Sequence, residues 1–149
     1  MYLISVVAVV VVSGLLMVMG KGDVMWFIDL PSLLVILLFD GMLLFGAGLV
    51  KDFNNAFRMG FGKGGEEGLP EIKRAIEAVA LVRKTTLVAG VFSMVFSLIL
   101  AMRYLADPER IGPTLAVASL TLLYALAVVL ILLPLEARLK MKLQNLLQD

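Results

Sequence analysis

The chain has 149 residues, 61% of them hydrophobic and 17% charged, with a formal net charge of +1. That net charge argues nothing about nucleic acid, and no nucleic-acid partner is expected; the composition supplies more apolar surface than a soluble domain of this size needs. With no Cys and no His the chain lacks disulfides, thiolate metal ligands and the commonest general base, so no catalytic residues, no metal and no cofactor are expected and an enzyme is disfavoured.

Four apolar stretches fill most of the sequence: 2–20, 28–50, 85–106 and 111–134. Each meets the requirement of roughly 20 residues at about 1.5 Å rise for crossing a bilayer. The expected fold is all-α: one polytopic membrane domain over 1–149, with four transmembrane helices and a connector at 51–84.

The first stretch is rich in Val and Ile and has no basic residue before Lys21, so it reads as a retained, lipid-facing helix rather than a signal peptide. A short outer turn follows, with Trp26 and Phe27 suited to the interfacial belt. The second stretch opens on Asp29-Leu-Pro31-Ser32, where Pro fits a first turn and Asp29 is placed to cap orphan N–H groups.

Inside this second stretch stands Asp40, a carboxyl at mid-depth with no Lys or Arg in its own span. Inserting such a group costs on the order of 2.5–3.5 kcal/mol, which makes it a functional-site candidate. It needs hydrogen-bond donors or a proton of its own. Counting from the outer ends of the spans puts Ser93, Ser97, Thr121 and Tyr124 at a similar level, so Asp40 is expected to face protein, toward Ser93, Ser97 or Thr121.

The connector divides at a Gly-rich turn, 60–68. Pro70 then opens a helical pattern with Leu69, Ile72, Ile76 and Val79 on one face. No breaker separates it from the third span, which predicts one helix from about Pro70 to about Ala106, extended into the cytoplasm. Its charged residues read as a solvated face or a docking surface.

In the third span Thr86, Gly90, Ser93, Ser97 and Ala101 share one face; in the fourth, Thr114, Ala118, Thr121 and Ala125 do the same. Small residues let helices approach closely in lipid, where no hydrophobic effect draws them together. Two readings fit these stripes: helix–helix packing, or the lining of a pore or partner helix, with Tyr124 beside it. One chain alone is expected to leave at least one stripe unpaired, and so to assemble. The basic residues divide ten against three between the connector with the C-terminal tail and the other side, which places the connector and both termini in the cytoplasm.

Two segments carry a family resemblance. Phe27-Ile-Asp-Leu-Pro-Ser-Leu-Leu-Val-Ile36 is similar to the opening of the second helix in flagellar stator A subunits. Asp107-Pro-Glu-Arg-Ile-Gly-Pro-Thr-Leu-Ala-Val-Ala118, with its continuation to Lys140, resembles their outer turn, fourth helix and basic exit. The chain thus resembles the MotA/TolQ/ExbB proton-channel family in a short form, without the large cytoplasmic domain. The resemblance implies a bacterial inner-membrane homopentamer. It implies that the third and fourth helices surround a single-pass partner of the MotB/TolR/ExbD kind, and that ion flow is coupled to work. Against the family pattern, Met94 and Leu122 stand where pore-facing Thr residues are found, and Phe39-Asp40-Gly41 replaces a Gly-Gly-Thr. The alternative is a non-conducting structural or assembly subunit that keeps the fold without the relay.

Overall fold

The computed structural model describes residues 2–19, 29–62, 68–103 and 108–148, and every element in them is a helix. In chain order these are α1 (Tyr2–Met19), α2 (Leu30–Gly46), α3 (Val50–Gly60), α4 (Leu69–Met102) and α5 (Pro108–Gln148). The outer turn with Trp26 and Phe27 and most of the Gly-rich turn lie outside the described residues, as does Asp107. By length and apolarity α4 and α5 are able to cross a membrane, and a third span results if the bent pair α2 and α3 counts as one.

The expected continuous third helix is present. At 34 residues, α4 is about 50 Å long at 1.5 Å per residue. Pro70 sits in its first turn, where the missing N–H had no intrahelical partner. α5 extends beyond the fourth apolar stretch: that stretch ends at Pro134, and the helix passes through Pro134 and continues to Gln148. Proline is tolerated inside a membrane helix where neighbouring helices re-satisfy the freed carbonyl.

The second apolar stretch is corrected more sharply. It does not run as a helix to Val50. α2 ends at Gly46, and α3 leaves at 110° to it. Gly48 makes the corner at φ +68°, a left-handed conformation that a side chain disfavours. α3 takes its direction from amphipathicity. Ala56 and Met59 are buried and Phe53 and Phe57 half-buried, while Lys51, Asn54, Asn55 and Arg58 stay exposed.

The tightest core is therefore not midway along the spans. It lies where the N-terminal half of α4 meets the C-terminal half of α5 and the inner ends of α2 and α3. Ile72, Ala75, Ala78 and Val79 pack there with Leu132, Leu135 and Leu139, together with Leu44, Ala56 and Met59. Further along, the α4–α5 pair continues as a seam of small residues: Thr86, Ala89, Gly90 and Ala101 of α4, with Ala118, Thr121 and Ala125 of α5, are all buried. A Cβ added at Gly90 would stand 2.3 Å from the Ala125 Cβ, so the two helices touch through a glycine. The expectation that one of these stripes stays unpaired in a single chain is thereby overturned. Their buried members face each other within one chain, across the α4–α5 pair.

By contrast, α2 and α1 are lightly held. α2 buries only Ser32, Ile36, Asp40 and Leu44, one residue per turn. α1 lies along α5, with Ala8, Val9, Val12 and Ser13 across a cleft from Leu123, Leu126, Ala127 and Leu130. Most of its described residues are exposed.

Candidate functional site

The buried stripe of α2 carries two polar residues eight positions apart, and each meets a hydroxyl on a neighbouring helix. Eight residues correspond to about 12 Å along the axis, so they form two separate levels.

At the outer level, Thr121 Oγ1 lies 2.8 Å from Ser32 Oγ, and Ser32 donates to Asp29 Oδ2. The Asp29 backbone N–H donates to Tyr124 Oη at 2.7 Å. Asp29 does occupy the N-cap position of α2, but its side chain makes no capping bond to the helix. The carboxylate serves Ser32 instead, and this network ties the start of α2 to the N-terminal half of α5. Ser93 and Ser97 belong to this level. Both are half-buried and line a cleft of about 340 Å³ with Ser32, Val35, Phe96 and Thr121. Thr114, the outermost hydroxyl of the stripe, bonds back to the Arg110 carbonyl at 2.9 Å on an exposed face.

Asp40 stands at the inner level, 8% exposed, so it faces protein as expected. Its partner is different. Thr86 Oγ1, fully buried, lies 2.6 Å from Asp40 Oδ2 and 2.8 Å from the Val82 carbonyl. Ser93, Ser97 and Thr121 are not its partners, because the depth count measured α2 from the same outer level as α4 and α5. Ser32, near the start of α2, is in fact level with Thr121, more than three turns into α5. Asp40 is displaced inward by the same offset.

One hydroxyl proton cannot serve two acceptors fully. Both contacts of Thr86 form together when Thr86 donates to Val82 and a protonated Asp40 donates to Thr86. Asp40 Oδ1 is buried and has no hydrogen-bond partner among the described residues.

Beyond the apolar stretch, at the inner end of α5, Glu136 is 6% exposed on the same face as Leu132, Leu135 and Leu139. Its two oxygens lie 2.8 Å from Arg83 Nε of α4 and 2.8 Å from Lys140 Nζ one turn on. The Arg83 contact is an ion pair and not a well-aligned hydrogen bond, since neither atom finds a partner of good geometry. Arg138 donates from Nη1 to the Gly60 carbonyl at 2.7 Å, satisfying an orphan acceptor at the end of α3. Glu136, Arg83 and Arg138 were not singled out from sequence. The spacing of Glu136 and Lys140 was the readable signal; the reach of Arg83 depends on the α4–α5 pairing.

Burial opposes ionisation of Glu136, but hydrogen bonding to Lys140 and the charges of Arg83 and Lys140 outweigh it and hold the carboxyl below its ordinary range. A depressed carboxyl adds stability above its unfolded-state value, and that stability is lost as pH falls through the folded value. The detergent-solubilised protein should therefore keep a constant melting temperature above the ordinary glutamate range and lose stability below it. Glu136→Gln should remove that acid limb and cost about 1 kcal/mol at neutral pH, a modest figure because Arg83 and Lys140 are partly solvated. Circular-dichroism melts across pH would check this; a variant with the same acid limb would disprove it.

No group of His, Cys, Asp and Glu able to hold a metal occurs among the described residues. No family model, no curated protein and no solved structure matches the chain. The site thus stands on its geometry: two hydrogen-bonded polar levels inside an apolar helix bundle, and an ion cluster at its inner end.

Proposed function

We propose that the chain is the ring-forming subunit of a MotA/TolQ/ExbB-like assembly in a bacterial inner membrane. In this reading α1, α2, α4 and α5 supply four spans, with both termini and the connector in the cytoplasm. Five copies surround the helices of a single-pass partner and couple ion flow to its movement. The observation that carries the reading is the α4–α5 pair. Two helices of 34 and 41 residues run side by side from the apolar region past its inner end, so that wall and cytoplasmic stem are one unit.

A second reading, a non-conducting scaffold of the same architecture, is favoured by a specific observation. The polar groups of the spans are turned to one another inside a single chain. The outward surface of α4 beyond Thr86 presents Val88, Val91, Phe92, Val95, Phe96 and Ile99, all exposed and all apolar. A wall of such residues offers an ion no replacement for its hydration shell.

Native mass spectrometry in mild detergent tests the assembly, with a pentamer expected and a monodisperse monomer sinking both readings. Proteoliposomes then separate them. The chain alone should show little or no proton flux. Flux that appears with a co-purified single-span partner supports coupling, and its absence with the partner bound supports the scaffold.

A further inference from the structure

On the surface between α2 and α4 lies an open cleft of about 410 Å³ that Asp40 does not line. Phe39 and Leu43 form one wall, Val88 and Phe92 the other, and Lys84 and Thr85 stand at the inner end. From Lys84 to Phe92 the helix rises about 12 Å. At the outer end the Phe39 and Phe92 rings meet edge to face, with centroids 6.2 Å apart.

Both polar residues of this cleft are uncommitted. Thr86, Thr114 and Thr121 bond back to carbonyls of their own helices. The Thr85 hydroxyl does not, and it has no hydrogen-bond partner among the described residues although the residue is only 8% exposed. Nor is its oxygen sealed off like Asp40 Oδ1, so it opens on the cleft. Lys84 is exposed and has no ion-pair partner among the described residues, whereas Glu136 holds its neighbour Arg83 together with Lys140. Lys84 also stands where the apolar stretch 85–106 begins, the depth of lipid headgroups if α4 crosses a bilayer. Free phosphate would use the polar end and leave the walls bare, and a plain hydrocarbon would do the reverse. An anionic phospholipid satisfies both, since basic pockets between membrane helices bind such headgroups.

We propose that this cleft seats an anionic phospholipid, its phosphate against Lys84 and Thr85 and an acyl chain between Phe39 and Leu43 on one side and Val88 and Phe92 on the other. The site rests on α4 spanning a membrane, not on the ring or on ion coupling, since one chain supplies all of it.

The test uses the purified full chain in phosphatidylcholine nanodiscs doped with a lipid that carries a diazirine on its acyl chain, under either a phosphatidylglycerol or a phosphatidylcholine headgroup. On irradiation the diazirine loses dinitrogen and the carbene inserts into a nearby bond, so peptide mass spectrometry maps the adduct. Adducts are expected on the peptides of Phe39, Leu43, Val88 and Phe92, at about fivefold higher yield with phosphatidylglycerol, the effect of one Lys near the membrane surface. Lys84→Gln, an exposed change that should leave the helicity unaltered, should abolish that preference. Lys73→Gln, also exposed on α4 but three turns further in, should keep it. Thr85→Val should lower labelling by both lipids alike, because both carry the phosphate. Excess inorganic phosphate should displace neither. Equal labelling by the two lipids, a preference that survives Lys84→Gln, adducts scattered outside the cleft, or displacement by inorganic phosphate would each overturn the proposal.

Discussion

Gly90→Ala should lower the stability of the chain by about 2–3 kcal/mol, the upper part of the range for overpacking a well-fitted contact. The cause is local. A methyl at residue 90 would stand 2.3 Å from the Ala125 Cβ, with Leu122 also within 4 Å. The Ala125 Cβ is fixed to the backbone and cannot swing away, while the Leu122 contacts at 3.6 and 3.8 Å are ordinary packing distances. Relief requires α4 and α5 to part along a seam that also carries Thr86, Ala118 and Thr121. Gly90→Leu should prevent the pair from closing at all. The complementary change is Ala125→Gly, which removes the opposing methyl and by itself costs about 1 kcal/mol in helix propensity. Combined with Gly90→Ala, it should return most of the lost stability, so that the two changes couple by about 1–3 kcal/mol. Denaturant unfolding in detergent, followed by circular dichroism, would measure the cycle. Strict additivity would show that the seam does not close through these residues. The same experiment separates packing within the chain from packing between chains, because the loss should be independent of protein concentration.

That seam illustrates what was legible beforehand. The spacing of Thr86, Gly90, Ser93 and Ser97, and of Thr114, Ala118, Thr121 and Ala125, was readable because helical periodicity is a local property. The continuity of α4 was readable for the same reason: Pro70 starts it and nothing within it breaks it. Which stripe meets which is a matter of tertiary pairing, and here the short α4–α5 connection settles it within one chain. The partner of Asp40 was missed on a related ground. Apolar runs report how long a span is, not where it starts relative to its neighbours. Helix α2 begins level with a point more than three turns into α5, as the Ser32–Thr121 pair shows. The corner at Gly48 was hidden because Gly46, Ala47 and Gly48 sit within a run whose hydropathy continues unbroken to Val50. A left-handed glycine leaves no trace in an apolar count.

Thr86→Val should destabilise the chain more than Asp40→Asn does, though it replaces a neutral residue with a near-isostere. Valine fills the same volume but takes away the only hydrogen-bond partner that Asp40 has among the described residues. Stranding a buried polar group costs about 1–3 kcal/mol. Asparagine at position 40, by contrast, keeps shape and hydrogen bonding: its amide donates to Thr86 Oγ1 while Thr86 donates to the Val82 carbonyl. Asp40→Asn should therefore melt close to the native temperature, and the double change Asp40→Leu with Thr86→Val should recover stability relative to Thr86→Val alone, because both polar partners are then gone. If Thr86→Val melts normally, the pair does not hold α2 against α4. The stable Asp40→Asn variant then addresses function directly, because asparagine cannot exchange a proton. If the proposed partner-dependent flux is observed and Asp40→Asn assembles normally and retains it, Asp40 is a structural donor that fixes α2 in place. Under the same proposal, loss of that flux with normal assembly would make its proton part of the transport step.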